Sequence, residues 1–338
     1  MKKKNVLILI SLLCMLALLM SGCSNSAKET SDANTKDAKK IVIWTSGEDY
    51  KNDNYLKGIQ AKFPDYEFQM EYMNSSTIAA KVMAEKENCV CDIILSNEYG
   101  YLEMCSEQLA TLDQFDFSVF LDDIVAQSKK YTPEVKNGGA VIVNTDVLAK
   151  RGLPMPTSYQ DLLDPQYKNL VSMPNPASSG TGYMFLRQLT NEWGEDQAFE
   201  YFTKLSENIL QFTSSGSGPI NALVQGEVAV GLGMTSQAVV EKNQGAPLEI
   251  LFFEEGSPYS MYGNAMLKKS ADRPEVVEVF NFLATDMCMD NHQKYFPDQL
   301  YKDYTTQIEG FPTDIDYGNM TNDTLEEKER LVKKWTIS

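Results

Sequence analysis

The chain reads as an α/β protein with two lobes joined by two crossing segments. Short apolar runs of strand length alternate with helical patterns in which apolar residues recur three and four positions apart. The alternation begins twice, once at residue 40 and again after residue 138. The length of 338 residues, 43% hydrophobic and 23% charged, suits one large domain or two of about 150 residues. Alternating strands and helices imply βαβ units and a largely parallel sheet covered on both faces. The late return of the chain places lobe 1 at 40–138 plus 254–338 and lobe 2 at 139–253, with crossings near 138–143 and 248–258.

The first strand is Lys40-Ile41-Val42-Ile43-Trp44-Thr45-Ser46, followed by Gly47. Tyr55, Leu56, Ile59 and Phe63 then repeat at helical spacing up to Pro64, which cannot continue a helix. Tyr66 to Tyr72 alternates as a second strand, Ile78 to Lys86 is helical, and Asp92 to Leu95 is a buried strand that stops at Ser96-Asn97. Asn137-Gly138-Gly139 precedes the apolar strand Ala140–Asn144. The second unit continues through Val147–Lys150, Tyr159–Leu163 and the strand Asn169–Met173. Helices follow Ser179-Gly180-Thr181-Gly182 and run from Glu195 to Asn208; Gln211–Ser214, a helix from Ile220 to Gln225 and the strand Val228–Leu232 come next. Leu248–Phe253 and Asn264–Leu267 are late strands, and the chain from Pro274 onward is helical in pattern.

Charge narrows the function. With 47 acidic against 30 basic residues, a net charge of −17 and a pI near 4.6, the chain lacks the Lys/Arg surface that nucleic acid requires. A single histidine, His292, leaves no room for a histidine-rich zinc site, and Asp290-Asn291-His292-Gln293 reads as a solvated helix segment. No Gly-x-Ser-x-Gly elbow is present, so Ser217 has no nucleophile role, and no phosphate-loop or Gly-x-Gly-x-x-Gly motif supports a nucleotide enzyme. Nothing calls for a cofactor, and the chain reads as a non-enzyme.

Residues 1–22 form a signal peptide: Lys2, Lys3 and Lys4 precede an apolar run from Val6 to Met20, and removing the three lysines takes the net charge from −17 to −20. Leu19-Met20-Ser21-Gly22-Cys23 has the pattern of a bacterial lipobox, whose cysteine is diacylated (palmitate among its acyl chains) and becomes the new N-terminus; the alternative is a plain secretory signal with an incidental cysteine. Residues 23–39 form a flexible tether. The body would thus stand on the outer face of the cell membrane, held by lipid at Cys23. Of the remaining Cys89, Cys91, Cys105 and Cys288, a Cys89–Cys105 bridge is open, but four free, partly buried thiols is the favoured reading.

Candidate chemistry lies in small hydroxyl and glycine clusters placed after strands or before helices: Thr45-Ser46-Gly47, Ser96-Asn97, Ser178-Ser179-Gly180-Thr181-Gly182, Ser214-Ser215-Gly216-Ser217-Gly218 and Met234-Thr235-Ser236. Ligands of open α/β sheets bind outside the carboxyl ends of strands. Helix N-termini there present unpaired N–H groups and partial positive charge, which suits an anion. Each cluster alone is equally an ordinary helix cap; their recurrence in both lobes carries the reading. Tyr259 and Tyr262 either place phenols in the cleft or pack beside a turn, and Glu48 and Asp49 either receive a ligand ammonium or favour a helix first turn, the latter being preferred.

The lipobox, the first strand ending Trp44-Thr45-Ser46-Gly47, and the segments Asn175 to Gly182, Leu223 to Gly231 and Glu255-Gly256-Ser257-Pro258-Tyr259 together resemble the solute-binding lipoproteins of bacterial ABC importers. Their closest branch is that labelled iron(III)-, phosphonate- or hexose-phosphate-binding. The resemblance implies a type II periplasmic-binding-protein fold with ligand held between closing lobes, and an ABC permease with its ATPase as partners. The matching ligand positions are Ser46, Asn97, Ser179, Gly180, Thr181, Ser217, Thr235 and Tyr262. Ferric members use an adjacent tyrosine pair, which this chain lacks; an alternative ferric site would draw on Tyr183, Tyr259, Tyr262 and Glu48. A phosphorylated or phosphonate anion such as a sugar phosphate is the leading expectation, with ferric iron, or presentation of a ligand to a sensor kinase, as alternatives.

Overall fold

A computed structural model of the chain describes residues 39–297, 300–322 and 324–337. The signal peptide, the lipobox Cys23 and nearly all of the tether lie outside the described residues.

Strand β1 (Lys39–Thr45) leads to α1 (Asp49–Lys62), which ends at Phe63 because Pro64 disfavours helical backbone in the residue before it. Then follow β2 (Tyr66–Tyr72), α2 (Ser75–Glu85), β3 (Ile93–Glu98) and α3 (Tyr99–Met104). The long β4 (Tyr131–Asn144) precedes α4 (Thr145–Arg151), β5 (Val171–Pro174), α5 (Gly180–Trp193) and α6 (Glu195–Leu205). Next are β6 (Ile209–Thr213), α7 (Gly218–Val224), β7 (Val230–Met234), α8 (Thr235–Asn243), β8 (Leu248–Leu251) and β9 (Tyr259–Met266). The chain closes with α9 (Pro274–Phe282), a π-helical turn, α10 (Cys288–Tyr295) and, after an irregular stretch, α11 (Leu325–Lys334).

The strands join in the order β2-β1-β3-β9-β4-β7-β5-β6, with β8 also on β4. β1 pairs in parallel with β2 and β3, and β5 with β6 and β7. The expected largely parallel sheet is therefore mixed: β9 and β4 run through its middle and make antiparallel pairs with β3, with each other, and with β7 and β8. The cause is the crossing chain, which lends one strand to both lobes. Up to Gly138, β4 pairs with β9; from Gly139 it pairs with β7. Asn137-Gly138-Gly139, read from sequence as a lead-in to a strand, thus lies inside one. Glycine fits closely there: a Cβ on Gly139 would stand 2.5 Å from Met184 Cε and 2.9 Å from both Phe185 Cζ and Pro258 Cγ, so these side chains would have to shift. Likewise Tyr259–Gly263 is the first part of β9 and not a turn.

Alternation along β1 and β3 builds two cores, one on each sheet face. Ile41, Ile43, Ile93 and Leu95 pack with Tyr55 and Ile59 of α1 and with Val279, Phe280 and Leu283. Val42, Trp44 and Ile94 face the opposite way onto Ile78, Val82, Tyr101 and Leu102. Burial on both faces is what makes these strands continuously apolar. In the second lobe, Val141, Met173, Phe185, Leu189, Phe202 and Leu232 form the core, which also takes Leu331 of α11 and the following Trp335. The C-terminal helix is therefore rooted in the second lobe.

The helical expectation beyond Pro274 holds for α9 and α10, but the described residues between α10 and α11 are irregular apart from single bridges, consistent with Pro297, Gly310 and Pro312, which interrupt regular pairing. His292 corrects another expectation. It is buried, not solvated: its Nε2 lies 2.7 Å from the Glu134 carbonyl oxygen, and it packs edge-on against Tyr301. All four described cysteines are free and buried, as the favoured reading had it.

Candidate binding pocket

The carboxyl ends of β1 and β2 and the N-termini of α5, α7 and α8 converge on one pocket with about 330 Å³ of space free of protein atoms. On the first-lobe side, Ser46 follows β1. Its turn is held by Thr45, whose hydroxyl donates to Asn52 Oδ1 at 2.8 Å and accepts from the Gly47 N–H at 3.0 Å. Ser46 Oγ donates to the Ser96 carbonyl and lies 3.0 Å from Ser75 Oγ. Asn74 caps α2 by accepting the Thr77 N–H at 2.9 Å, which sets Ser75 at the helix start. Glu48, Tyr72, Asn74 and Ser75 complete this wall.

On the second-lobe side, Ser179 caps α5, accepting the Gly182 N–H at 3.4 Å, and Gly180 and Thr181 form its first turn. Ser214, Gly216 and Ser217 come from the loop after β6, and Met234 from the end of β7. Tyr262 of β9 reaches in with its hydroxyl 3.4 Å from Thr181 Oγ1. Burial raises the Tyr262 pKa strongly, with the Glu98 and Glu48 carboxylates adding to the effect, so this phenol stays a neutral donor. Two contacts span the walls: Tyr72 OH donates to Ser215 Oγ at 2.7 Å and Ser76 Oγ to the Ser178 carbonyl at 3.2 Å.

Six of the eight predicted positions line this pocket: Ser46, Ser179, Gly180, Thr181, Ser217 and Tyr262. Asn97 stands behind Ser46, its Oδ1 3.4 Å from Ser46 Oγ, and Thr235 is buried beside Met234 at the start of α8, its hydroxyl without a hydrogen-bond partner. The four alternative oxygen groups are not brought together. Glu48 and Tyr262 line the pocket, whereas Tyr183 packs beneath the Lys328 ammonium and Tyr259 packs against Tyr317 and Lys136. Tyr72, Asn74 and Ser75 escaped the sequence reading, although they too follow a strand and open a helix; the rule that found Ser46 would have found them.

Glu48 takes a place between the two roles considered for it. It occupies the residue before α1 without capping the helix through its side chain, and it is 6% exposed. The Lys51 ammonium lies 3.2 Å from Glu48 and 3.1 Å from Glu134. Burial pulls the Lys51 pKa down, but the two carboxylates outweigh it and hold the group above its ordinary value. Glu134 also accepts from Tyr55 OH at 3.0 Å and from Ser96 Oγ at 2.9 Å. Burial pushes the thiols of Cys105 and Cys288 up to about 12, which keeps them unreactive. Among the described residues no cluster of His, Cys, Asp and Glu could hold a metal ion.

A two-lobe α/β body with a polar pocket between strand ends and helix starts defines a binding protein of the type II periplasmic class. The model of the family described as bacterial extracellular solute-binding protein matches residues 98–320. An uncharacterized protein of Haemophilus influenzae is 30% identical over 271 residues, 77% of this chain and 75% of that one. The spermidine/putrescine-binding periplasmic protein of Salmonella typhimurium is 25% identical over 227 residues, 63% of each chain. Among solved structures, the periplasmic binding protein AfuA of Actinobacillus pleuropneumoniae, with exogenous fructose 6-phosphate bound, superposes with a TM-score of 0.77 at 27% identity, covering 88% of this chain and 97% of that one. The chain belongs to the bacterial extracellular solute-binding proteins, which serve ABC importers and are not enzymes. Among the described residues no helix is long and apolar enough to cross a membrane.

Proposed function

We propose that the protein captures a small phosphate- or phosphonate-bearing solute, a sugar phosphate being the simplest example, and delivers it to an ABC permease driven by its ATPase. The observation that carries this reading is the start of α5, where Ser179, Gly180 and Thr181 present backbone N–H groups and hydroxyls to the pocket opposite Ser46 and Ser75. Donors from several elements converge there, which suits the several oxygens of a phosphate better than a single carbonyl. AfuA, similar over nearly its whole length, holds a sugar phosphate. The net charge of −17 does not oppose this, because distant charge is screened within about 10 Å while helix ends act at contact. The first lobe, built on 40–138 and the return of the chain after 254, and the second, built on 139–253 and joined by α11, would close over the solute about β4, near the Gly138–Gly139 change of partner. Lipid on Cys23 would hold the body at the outer face of the membrane.

A thermal-shift screen of sugar phosphates, phosphonates, polyamines, thiamine and ferric citrate tests the reading. A ligand at 100 times its Kd stabilises by about 2.7 kcal/mol and moves the midpoint by a few degrees. The expected shift is with a phosphorylated solute. A shift with ferric citrate alone, accompanied by a tyrosinate-to-iron colour band, would overturn it.

A further inference from the structure

The pocket has one more feature, its charge balance. Glu48 and Glu134 share a single ammonium, that of Lys51, and all three side chains are nearly or wholly buried. The two carboxylates are not equally served. Glu134 receives two hydroxyl hydrogen bonds besides the ammonium, whereas Glu48 Oε2 has the shared Lys51 ammonium at 3.2 Å and no further donor. His292, which contacts the Glu134 carbonyl, is held neutral by burial and adds no positive charge. The buried group thus carries one negative charge in excess, and its less satisfied member faces the pocket. A buried carboxylate in that condition is costly unless a cation or strong donor meets it.

We infer that the captured solute carries an ammonium group as well as its phosphate or phosphonate, and that Glu48 receives that ammonium while the start of α5 receives the anion. This rests on the anion reading proposed above and adds a second recognition point on the opposite wall. The two ends of the pocket are complementary in sign: helix N–H groups and hydroxyls at Ser179–Thr181, a carboxylate at Glu48. Complementary charge of this kind sets which partner is accepted.

The test is calorimetric titration of the full chain with O-phosphoethanolamine, 2-hydroxyethyl phosphate and ethyl phosphate, three ligands that differ only in the group offered to Glu48. The amine is expected to bind at least tenfold tighter than the other two, as a charge-assisted hydrogen bond implies. In Glu48→Gln the three affinities should draw together; Lys51 keeps Glu134 as its partner there, so the fold is preserved, and the comparison within the unmodified protein needs no variant at all. Equal binding of the three ligands, or an amine preference that survives in folded Glu48→Gln, refutes the inference and leaves the anion reading standing. If none of the three binds while fructose 6-phosphate does, the inference is refuted and the anion reading stands; if fructose 6-phosphate fails as well, both fall.

Discussion

Among the described residues two lysines are buried almost completely, and they do opposite things. Lys51 sits within the first lobe, reaching one turn back to Glu48 and across to Glu134. Lys328 sits on α11, which is rooted in the second-lobe core through Leu331 and Trp335, and it pairs with Glu98 at the end of β3 in the first lobe. Its ammonium also lies over the rings of Tyr101 and Tyr183, at 3.7 and 4.7 Å. The first lysine balances charge inside one wall of the pocket and leaves an excess carboxylate. The second ties one lobe to a helix anchored in the other. What a buried ion pair connects decides its effect: within a lobe it tunes a site, between lobes it bears on closure.

The comparison breaks first at Lys51. Lys51→Met leaves two buried carboxylates sharing no cation, and removal of one partner of a buried pair costs about 3–5 kcal/mol, so a loss at or above the top of that range is expected in urea unfolding. A loss below 1 kcal/mol would show that the pair is solvated in solution.

Lys328→Met strands only Glu98, and a loss nearer 3 kcal/mol is expected. Glu98→Gln/Lys328→Met should recover most of it, because Gln retains an acceptor for the Gly100 N–H at the start of α3. The variant should also widen the molecule in solution scattering, whereas the Lys51 variant, when folded, should not. Additive single costs, or no change in scattering, would place Lys328 in a purely local role.

Thr181→Ala tests the pocket itself. Affinity for the solute should fall by about 1–3 kcal/mol with unchanged thermal stability, since one donor to a charged group is lost. Unchanged affinity would remove the start of α5 from the site.

The smallest effect concerns pH. Burial lowers the His292 pKa below its ordinary 6.5, so the unfolded chain binds a proton that the folded chain refuses. Stability from this group is full above pH 6.5 and is lost as pH falls below it. His292→Gln should flatten that decline, as unfolding midpoints between pH 7 and 5 would reveal; an unaltered slope would assign the decline to other groups.

Much of this was readable from residues. Tyr66–Tyr72 is legible because Pro64-Asp65 marks its start and the alternation runs to its end. The pocket's serines and glycines were readable because strand ends and helix starts follow one topological rule. Of β4 only the second part, Ala140–Asn144, was legible, because Pro133 and Gly138-Gly139 signal breaks locally although they lie within the strand. The charge groups were illegible for a different reason. Lys51 and Glu134 are 83 positions apart and Glu98 and Lys328 are 230, and no local pattern records such pairings. His292 likewise looked solvated because its partner, Glu134, is remote.

The most direct test of the central claim is calorimetry of the purified full chain with fructose 6-phosphate and ferric citrate, repeated on folded Ser179→Ala/Thr181→Ala. Saturable one-to-one binding of the phosphate ester, lost in the double variant, is expected. Tight ferric binding with no response to any phosphate ester, undisturbed by the double variant, would contradict it.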